Sequence, residues 1–329
     1  MQYPRLNNIF SINELNFNKE ANKLASWHYE NNTIYHQWCQ LLGKTPILAE
    51  EKDAYLTIPF LPIAFFKTHQ LLTNDRSVDI VFESSGTTKA NLSKHFVSDV
   101  GIYEKSFITA FEAVFGNIDN WCILGLLPAY LERQHSSLVY MVNKLIALSN
   151  NTNSGFYLYN YEQLHQIIQQ QESAAKPTLV FGVTFALLDF AAAFPMKLKH
   201  TIIMDTGGMK GRKKEITRQE VNEFLQKQWD IPFVYSEYGM TELLSQAYAK
   251  GNGRYVCPPW MKVVVRQEDN PLEIRKYGRG LLNIIDLANV YSMPFIATDD
   301  IGIVHEDGSF EVLGRLDNAD LRGCSLLLH

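Results

Sequence analysis

Cysteine is scarce in this chain, and the few cysteines that it has are far apart. Only 4 of the 329 residues are cysteines: Cys39, Cys122, Cys257 and Cys324. No two of them have the Cys-x-x-Cys spacing, and none lies in a Cys/His cluster with the spacing of zinc ligands. We therefore expect neither a disulfide framework nor a structural metal site.

An excess of charge of one sign is also lacking. The chain has 30 basic and 35 acidic residues, which are interspersed and give a formal net charge of −5. A protein that binds a polynucleotide or an anionic membrane surface normally has a broad basic face that neutralises phosphates. We therefore expect no nucleic acid and no membrane among its partners.

Long apolar runs are absent as well. The most apolar long stretch, residues 178–194, is interrupted by Gly182 and Asp189, which disfavours a membrane span. The amino terminus lacks the basic and then apolar segments of a secretory signal. These absences predict a cytoplasmic protein.

The chain is rich in apolar residues arranged in alternating short and long segments. Apolar residues make up 46% of the sequence, enough for a large core. From residue 78, short β-branched runs alternate with longer amphipathic segments, which is typical of an α/β fold. One helix is predicted over residues 99–115, ending at Gly116. Strands are predicted at residues 78–82, 121–126, 156–159, 178–181, 201–204 and 232–235.

The two ends of the chain differ from this central pattern. Residues 1–75 predict a helical preface, in which Ser11 and Glu14 have the spacing of a capping box. Residues 251–329 favour antiparallel β ribbons, with a hairpin turn at residues 307–308. We therefore divide the chain into a preface packed on the core, an α/β core at residues 76–250 and a β-rich carboxyl-terminal part.

Hydroxyl side chains are concentrated just after the first predicted strand, in a segment that we call the hydroxyl loop. It consists of Ser84, Ser85, Gly86, Thr87, Thr88 and Lys89. Its N–H and O–H groups can surround phosphate oxygens, and its lysine can offset their charge. The loop lacks the Gly-Lys-Ser/Thr ending of a Walker loop, and taken alone it is also consistent with an ordinary turn.

Further polar segments follow other predicted strands. Open α/β sheets bind ligands at the carboxyl ends of their strands, so these segments are candidates for one site. Singly, each has a structural explanation, such as a tight turn or a cap. They are residues 128–132; residues 205–210, with Gly207, Gly208 and Lys210; residues 238–242, with Tyr238, Gly239, Thr241 and Glu242; and residues 298–300, with Asp300.

The order of these segments resembles that of the adenylate-forming superfamily of acyl-CoA synthetases and aryl acid ligases. The hydroxyl loop is similar to its phosphate loop, residues 207–208 to its glycine pair, and residues 238–242 to its Tyr-Gly-x-Thr-Glu box. Residues 298–300 are similar to its Thr-Gly-Asp box, and residues 314–323 to its hinge segment. This resemblance implies the fold of the superfamily's N-terminal domain, with mixed β-sheets layered with helices and a small antiparallel region near the carboxyl end.

Within the superfamily, the chain most resembles the acyl-protein synthetases of bacterial luminescence operons. Residues 62–67, 131–138 and 322–324 carry this likeness. In that family a cysteine near the carboxyl terminus holds the acyl group as a thioester, and Cys324 matches it in position and neighbours. The resemblance implies a carboxylic acid substrate, with a fatty acid favoured, and an acyl-accepting reductase or carrier protein as partner.

The resemblance also implies ATP and Mg²⁺ as cofactors, with a role for each matching residue. Tyr238 would stack on adenine, and Thr241 would contact the α-phosphate. Glu242 would help to hold Mg²⁺, a hard cation that prefers oxygen ligands. Asp300 and Arg315 would bind the ribose hydroxyls. Adenylation depends on positioning and on charge neutralisation more than on a strong base.

The chain departs from the superfamily pattern in two respects. The hydroxyl loop lacks the second glycine and the Pro-Lys pair that usually follow. The sequence also stops six residues after Gly323, so we expect no C-terminal lobe to deliver a catalytic lysine. Either Lys210 substitutes for that lysine, or a partner completes the site, or adenylation is slow or lost.

Three functions follow from this pattern. The leading hypothesis is ATP-dependent formation of an acyl-adenylate and transfer of the acyl group to Cys324. A thiol beside Arg322 could have a lowered pKa, although the adjacent leucines are also typical of a core strand. The alternatives are an acid:CoA or aryl-acid ligase in which Cys324 is structural, and a non-catalytic acyl- or nucleotide-binding subunit.

Overall fold

The computed structural model describes residues 6–46, 51–74, 76–84, 92–127, 135–158, 160–207 and 217–316. Its α-helices are α1 (Glu14–Asn31), α2 (Thr33–Leu41), α3 (Phe65–Thr68), α4 (Val100–Phe115), α5 (Ser137–Leu148), α6 (Tyr161–Ser173), α7 (Thr184–Ala193) and α8 (Arg218–Trp229). Its strands are β1 (Leu61–Pro62), β2 (Ile80–Glu83), β3 (Lys94–Val97), β4 (Cys122–Leu126), β5 (Gly155–Phe156), β6 (Thr178–Gly182), β7 (Thr201–Asp205), β8 (Tyr235–Tyr238), β9 (Ala247–Lys250), β10 (Tyr255–Val256), β11 (Met261–Arg266), β12 (Ile274–Arg275), β13 (Gly278–Asp286), β14 (Phe295–Val304) and β15 (Phe310–Arg315).

Thirteen of the described strands form one mixed sheet. Its order is β12-β11-β13-β14-β15-β10-β9-β8-β7-β6-β4-β5, with β1 beside β14. The strands from β5 to β8 in this order are parallel, and the pairs from β8 through β9, β10 and β15 to β12 are antiparallel. Strands β2 and β3 form a separate antiparallel hairpin. The predicted fold class is confirmed, and the antiparallel strands after residue 250 continue the main sheet.

Helices cover both faces of the parallel half of this sheet. Successive residues of β4 alternate between two apolar clusters, with Ile123 in one and Leu124 in the other, as the period of a strand requires. The first cluster takes residues from α4 and α5, and the second takes residues from α6, α7 and α8. Helix α1 joins the first cluster through Phe17 and Trp27. The architecture is therefore three-layered around one central sheet.

Most predicted elements lie within a few residues of the observed ones. Helix α4 begins after its cap Asp99, whose side chain accepts from the Gly101 N–H, and ends at Gly116. The hairpin turn predicted at residues 307–308 joins β14 to β15, with Gly308 at φ +82°. Ser136 caps α5 by accepting from the Val139 N–H. These elements follow from local sequence because caps and turns depend on near neighbours.

The predicted strand at residues 232–235 is wrong in position, because β8 spans Tyr235–Tyr238. Proline lacks the N–H that a central strand uses, so Pro232 precedes the strand. The polar residues Ser236 and Glu237, which lie beyond the predicted strand, are buried in the ladder with β9. The predicted cap of α1 is wrong as well, because Asn13 and Asn16 form the capping box.

The described helices combine limited length with charged residues. The longest of them, α1, has 18 residues and includes the charged residues Lys19 and Glu20. Within the part of the chain that the structure describes, no helix is both long enough and apolar enough to cross a membrane. The cytoplasmic location remains a prediction.

Candidate functional site

A cleft of about 280 Å³ opens where the strands β6, β7 and β8 end. It lies at the change from parallel to antiparallel pairing, which is a common position for ligand sites in open sheets. The parallel strands and the helices that follow them form one wall, and the antiparallel strands form the other. Its lining residues are Thr184, Asp205, Thr206, Gly207, Arg218, Val221, Ser236, Glu237, Tyr238, Gly239, Tyr255 and Val312.

Asp205 organises the turn at one end of this cleft. Its Oδ1 accepts from the Thr184 hydroxyl at 2.8 Å and from the Gly207 N–H at 2.9 Å. Gly207 has φ +75°, in the left-handed region that glycine adopts without strain. Burial raises the pKa of Asp205. The first glycine of the predicted pair therefore serves a tight turn whose backbone lines the cleft.

Tyr238, Asp300 and Arg315 meet although they are distant in the sequence. The Tyr238 hydroxyl donates to Asp300 Oδ2 at 2.8 Å. The Nε of Arg315 lies 3.2 Å from Asp300 Oδ1, because these two residues are opposite each other in the β14–β15 ladder. Burial raises the pKa of Asp300, although the Arg315 charge and the tyrosine hydrogen bond oppose this effect. The structure thus brings three of the predicted site residues together.

Glu242 contacts Ser93, which is hydrogen-bonded to Ser84 at the start of the hydroxyl loop. The Ser84 N–H donates to the Ser93 carbonyl at 3.0 Å, and the Ser93 N–H donates to the Ser84 hydroxyl at 3.0 Å. The Ser93 hydroxyl in turn hydrogen-bonds the Glu242 carboxyl. Burial raises the pKa of Glu242 despite this hydrogen bond. The predicted metal ligand and the first hydroxyl residue of the predicted phosphate loop are therefore neighbours.

His95 is a residue of this region that the sequence analysis missed. Its Nδ1 lies 2.8 Å from the Thr241 carbonyl oxygen, and its Nε2 lies 2.8 Å from the Ser292 hydroxyl. Burial lowers the pKa of His95 to about 4, so the imidazole is neutral near pH 7. A neutral ring has one donor and one acceptor, so Nδ1–H donates to Thr241 and Nε2 accepts from Ser292. The one sequence feature that could have indicated His95 is the alternation along β3, in which Lys94 is exposed and His95 faces inward.

Asp286 holds the segment that follows Glu242. This fully buried carboxylate accepts from the Leu244 N–H at 2.8 Å, the Ser245 hydroxyl at 2.6 Å and the Ala288 N–H at 3.1 Å. Burial raises its pKa to about 6, although the hydrogen bonds oppose the shift. The segment from Thr241 to Ser245 is thus anchored to β13 on one side and to β3, through His95, on the other.

Gly239 stands close to a buried acid that the sequence analysis also missed. A Cβ atom at Gly239 would overlap the Glu237 carboxyl, so only glycine leaves room for it. The Glu237 side chain is only 8% exposed. Its position on β8 next to Tyr238 places it beside the predicted nucleotide site but on the other face of the strand.

Several predicted site residues lie outside the described residues. They are Ser85, Gly86, Thr87, Thr88, Lys89, Gly208, Lys210 and Cys324. Their roles remain predictions. Of the other cysteines, Cys39 and Cys122 are buried, and burial raises the pKa of each to about 11, which suits packing and disfavours a reactive thiolate.

Comparison with known proteins agrees with this arrangement. The family described as "Acyl-protein synthetase, LuxE" matches residues 10–329. The chain is 22% identical over 325 residues to the long-chain-fatty-acid–luciferin-component ligase of Vibrio harveyi, covering 91% of this chain and 84% of that protein. The crystal structure of 2-hydroxyisobutyryl-CoA ligase in complex with R3-HIB-AMP is similar with a TM-score of 0.60 and 10% identity, over 96% of this chain and 72% of that one.

The solved ligase shows that the fold is shared, and the family match extends over almost the whole chain. The mixed sheet agrees with the fold that the sequence resemblance implied, and the nucleotide-binding roles of Tyr238, Asp300 and Arg315 remain predictions. The chain therefore belongs to the LuxE family of acyl-protein synthetases and is an adenylate-forming ligase.

Proposed function

We propose that this protein uses ATP and Mg²⁺ to convert a fatty acid to acyl-AMP, transfers the acyl group to Cys324 as a thioester, and passes it to a partner protein. The observation that carries this proposal is the convergence of Asp300 and Arg315 on Tyr238, which lines the cleft. Three strands supply these residues, and each has a hydrogen-bonding group suited to a nucleoside.

Tyr238 is well placed to support a purine ring. Its ring packs against Tyr255 and Phe310, with centroids 5.6 Å and 5.1 Å away, so its position is constrained. Asp300 can accept from ribose hydroxyls, and the half-exposed Arg315 has further N–H groups to donate. These residues would bind and orient the nucleotide without taking part in proton transfer.

Glu242 is the residue that we propose as a magnesium ligand. Its carboxylate and the Ser93 hydroxyl are hard oxygen donors beside the hydroxyl loop, which fits the ligand preference of Mg²⁺. The raised pKa of Glu242 reflects burial, and a divalent cation would favour its ionised form. The ion would neutralise phosphate charge as pyrophosphate departs.

The reaction then consists of two displacements. A carboxylate oxygen of the fatty acid attacks the α-phosphorus, and the bond from that phosphorus to the pyrophosphate oxygen breaks. Next, the Cys324 thiolate attacks the acyl carbon, and the bond to the AMP oxygen breaks, which releases AMP. Thr241 would contact the α-phosphate, and Lys210 would supply the cation that a C-terminal lobe provides elsewhere in the superfamily.

The choice of substrate and acceptor has separate support. The similar protein of Vibrio harveyi is named as a ligase of long-chain fatty acids and a luciferin component, which favours a fatty acid here and a protein acceptor over free coenzyme A. The expected acceptor is a reductase or a carrier protein.

Intact-protein mass spectrometry tests the proposal. After incubation with ATP, Mg²⁺ and a panel of fatty acids, the wild-type protein should gain the mass of one acyl group. Cys324→Ser should gain none, yet it should retain acid-dependent ATP–pyrophosphate exchange. Cys257→Ser, a control at a half-buried cysteine, should still be acylated. Covalent acylation of Cys324→Ser, or product formation only with coenzyme A, would contradict the proposal.

A further inference from the structure

Glu237 is a buried acid on β8 at the cleft. It follows Ser236 and precedes Tyr238 on β8, so its side chain projects from the face opposite to Tyr238 and Asp300. Only 8% of it is exposed, and burial raises its pKa to about 8. The carboxyl is therefore largely protonated near pH 7, when it can both donate and accept a hydrogen bond.

Two other buried polar groups surround this carboxyl. The Gln246 Oε1 and the Tyr248 hydroxyl have no hydrogen-bonding partner in the described part of the chain. Tyr248 is directly opposite Glu237 in the β8–β9 ladder, and the Glu237 charge contributes to the raised pKa of the Tyr248 phenol. Gln246 Cγ and the Glu237 carboxyl both lie beside Gly239. We call Glu237, Gln246 and Tyr248 the Glu237 cluster.

Polar side chains next to this cluster, in contrast to Gln246 and Tyr248, have hydrogen-bonding partners. Ser245 donates to Asp286 at 2.6 Å and accepts from the Trp260 indole at 2.9 Å. Tyr103, whose phenol pKa is raised by burial and by Glu237, donates to the Ser137 carbonyl at 3.0 Å. A buried polar group without a partner is destabilising, so two such groups on one face of adjacent strands indicate that another molecule pairs them.

The cluster also lies next to the site of the proposed reaction. Glu237 and Gly239 are both lining residues of the cleft, and Gln246 lies beside Gly239. If the nucleoside occupies the Tyr238 face, the acyl part of the mixed anhydride extends toward a different surface, and the Glu237 face of the same strand is adjacent. An unsubstituted alkyl chain in this position would leave the Gln246 oxygen and the Tyr248 hydroxyl unpaired.

We propose that the Glu237 cluster binds a hydroxyl substituent close to the carboxyl of the acid substrate, so that hydroxy fatty acids are the preferred substrate class. A hydroxyl group donates one hydrogen bond and accepts others, which matches an amide oxygen, a phenol and a protonated carboxyl. An ammonium group would instead require an ionised Glu237. This inference rests on the proposed function, because it assumes that the acid is activated in this cleft.

Acid-dependent ATP–pyrophosphate exchange with matched substrates tests the inference. The panel consists of an unsubstituted fatty acid and its 2-hydroxy, 3-hydroxy and 3-amino derivatives of equal length. The wild-type protein should favour a hydroxy acid over the unsubstituted acid at least tenfold in kcat/KM, because a site built for a hydroxyl rejects the analogue that lacks it. In Gln246→Leu, Tyr248→Phe and Glu237→Leu this ratio should fall below threefold, while Glu237→Gln should retain part of it.

Gln171→Leu is the matched control. Gln171 on α6 is 2% exposed and its Oε1 also lacks a partner among the described residues, but it is not part of the cluster. In Gln171→Leu, the ratio of kcat/KM for the hydroxy acid to kcat/KM for the unsubstituted acid should equal that of the wild type. The inference would be overturned if the wild type used the unsubstituted acid equally well or better, or if it preferred the 3-amino derivative. It would also be overturned if the ratio were unchanged in the cluster variants. The last result would indicate that buried water pairs these groups.

Failure of the proposed function has a different signature. If no acid supports exchange, the cluster can still be tested by calorimetric binding of hydroxyacyl and unsubstituted acyl sulfamoyl-adenosines, which mimic the mixed anhydride without turnover. At least tenfold tighter binding of the hydroxyacyl compound, lost in Tyr248→Phe and retained in Gln171→Leu, would support the inference. Equal binding would overturn it.

Discussion

At the scale of single residues, the site depends on side chains whose contacts come from distant parts of the chain. Tyr238 and Asp300 are 62 positions apart, yet they share a 2.8 Å hydrogen bond. The sequence indicated both residues through their local motifs. It could not indicate Glu237 or His95, because neither belongs to a motif and each is distinguished only by burial among groups that fold onto it.

Asp300→Asn should weaken nucleotide binding. The substitution removes the charge that accepts from Tyr238 and pairs with Arg315, and hydrogen bonds to charged groups contribute about 1.5–3 kcal/mol. We expect the KM for ATP to rise roughly tenfold to a hundredfold, with less than a threefold change in the KM for the acid. Initial-rate kinetics measures both. Asp299→Asn at the neighbouring, less buried carboxylate is the control, and equal effects of the two substitutions would exclude a specific role of Asp300.

At the scale of elements, the β2–β3 hairpin is the connection between the hydroxyl loop and the Thr241–Glu242 segment. Two hydrogen bonds between Ser84 and Ser93 continue the pairing of its strands toward the loop that joins them. His95, in the second strand, is hydrogen-bonded to the Thr241 carbonyl. Local patterns predicted that this hairpin has a strand and a polar loop. They could not predict its partner, because β8 and β9 are about 150 residues away in the sequence.

His95→Leu should reduce kcat more than it raises the KM for ATP. His95 acts as a positioning residue, and without it the Thr241 carbonyl and the Ser292 hydroxyl lose their shared partner. We expect kcat to fall about tenfold, after correction for any unfolded fraction, since a misplaced reacting group lowers the rate steeply. Steady-state kinetics and circular dichroism measure the two effects.

The conservative replacement separates positioning from general stability. His95→Asn keeps a donor near the Thr241 carbonyl and should restore part of kcat, whereas His200→Leu, at an exposed histidine, should not change it. A kcat for His95→Leu within twofold of the wild-type value would contradict a positioning role.

At the scale of the whole molecule, the continuity of the main sheet is the feature that the sequence predicted least well. The α/β alternation indicated the parallel half, whose strands follow one another along the chain. The pairing of β10 with β15 and of β1 with β14 joins segments far apart in sequence, and no local pattern indicates such partners. The division into a preface, a core and a β-rich part remains a prediction.

Acid should destabilise the fold through its buried histidines. Burial lowers the pKa of His28 to about 3 and that of His95 to about 4, below their usual 6.5. The unfolded chain therefore takes up protons at higher pH than the native state does. The stability that this provides is complete above pH 6.5 and is lost as pH falls toward the native values, by about 1.4 kcal/mol per pH unit for each histidine.

Urea unfolding at pH 7, 6 and 5 measures this loss. Glu237, whose raised pKa acts with the opposite sign, obscures it in the wild type alone, so the histidine contribution is the difference between wild type and His28→Gln. This difference should shrink as pH falls. A constant difference for His28→Gln across this pH range would contradict the prediction.

The contact between Arg315 and Asp300 has a geometric consequence for the end of the chain. Cys324 is nine positions after Arg315, and nine residue steps span at most about 30 Å when fully extended. If Asp300 binds the ribose and Cys324 accepts the acyl group, as we propose, a chain of this length would keep the acceptor within roughly that distance of Arg315. A short tether of this kind corresponds to an effective thiol concentration in the millimolar range. Lengthening it would dilute the nucleophile without altering the pocket.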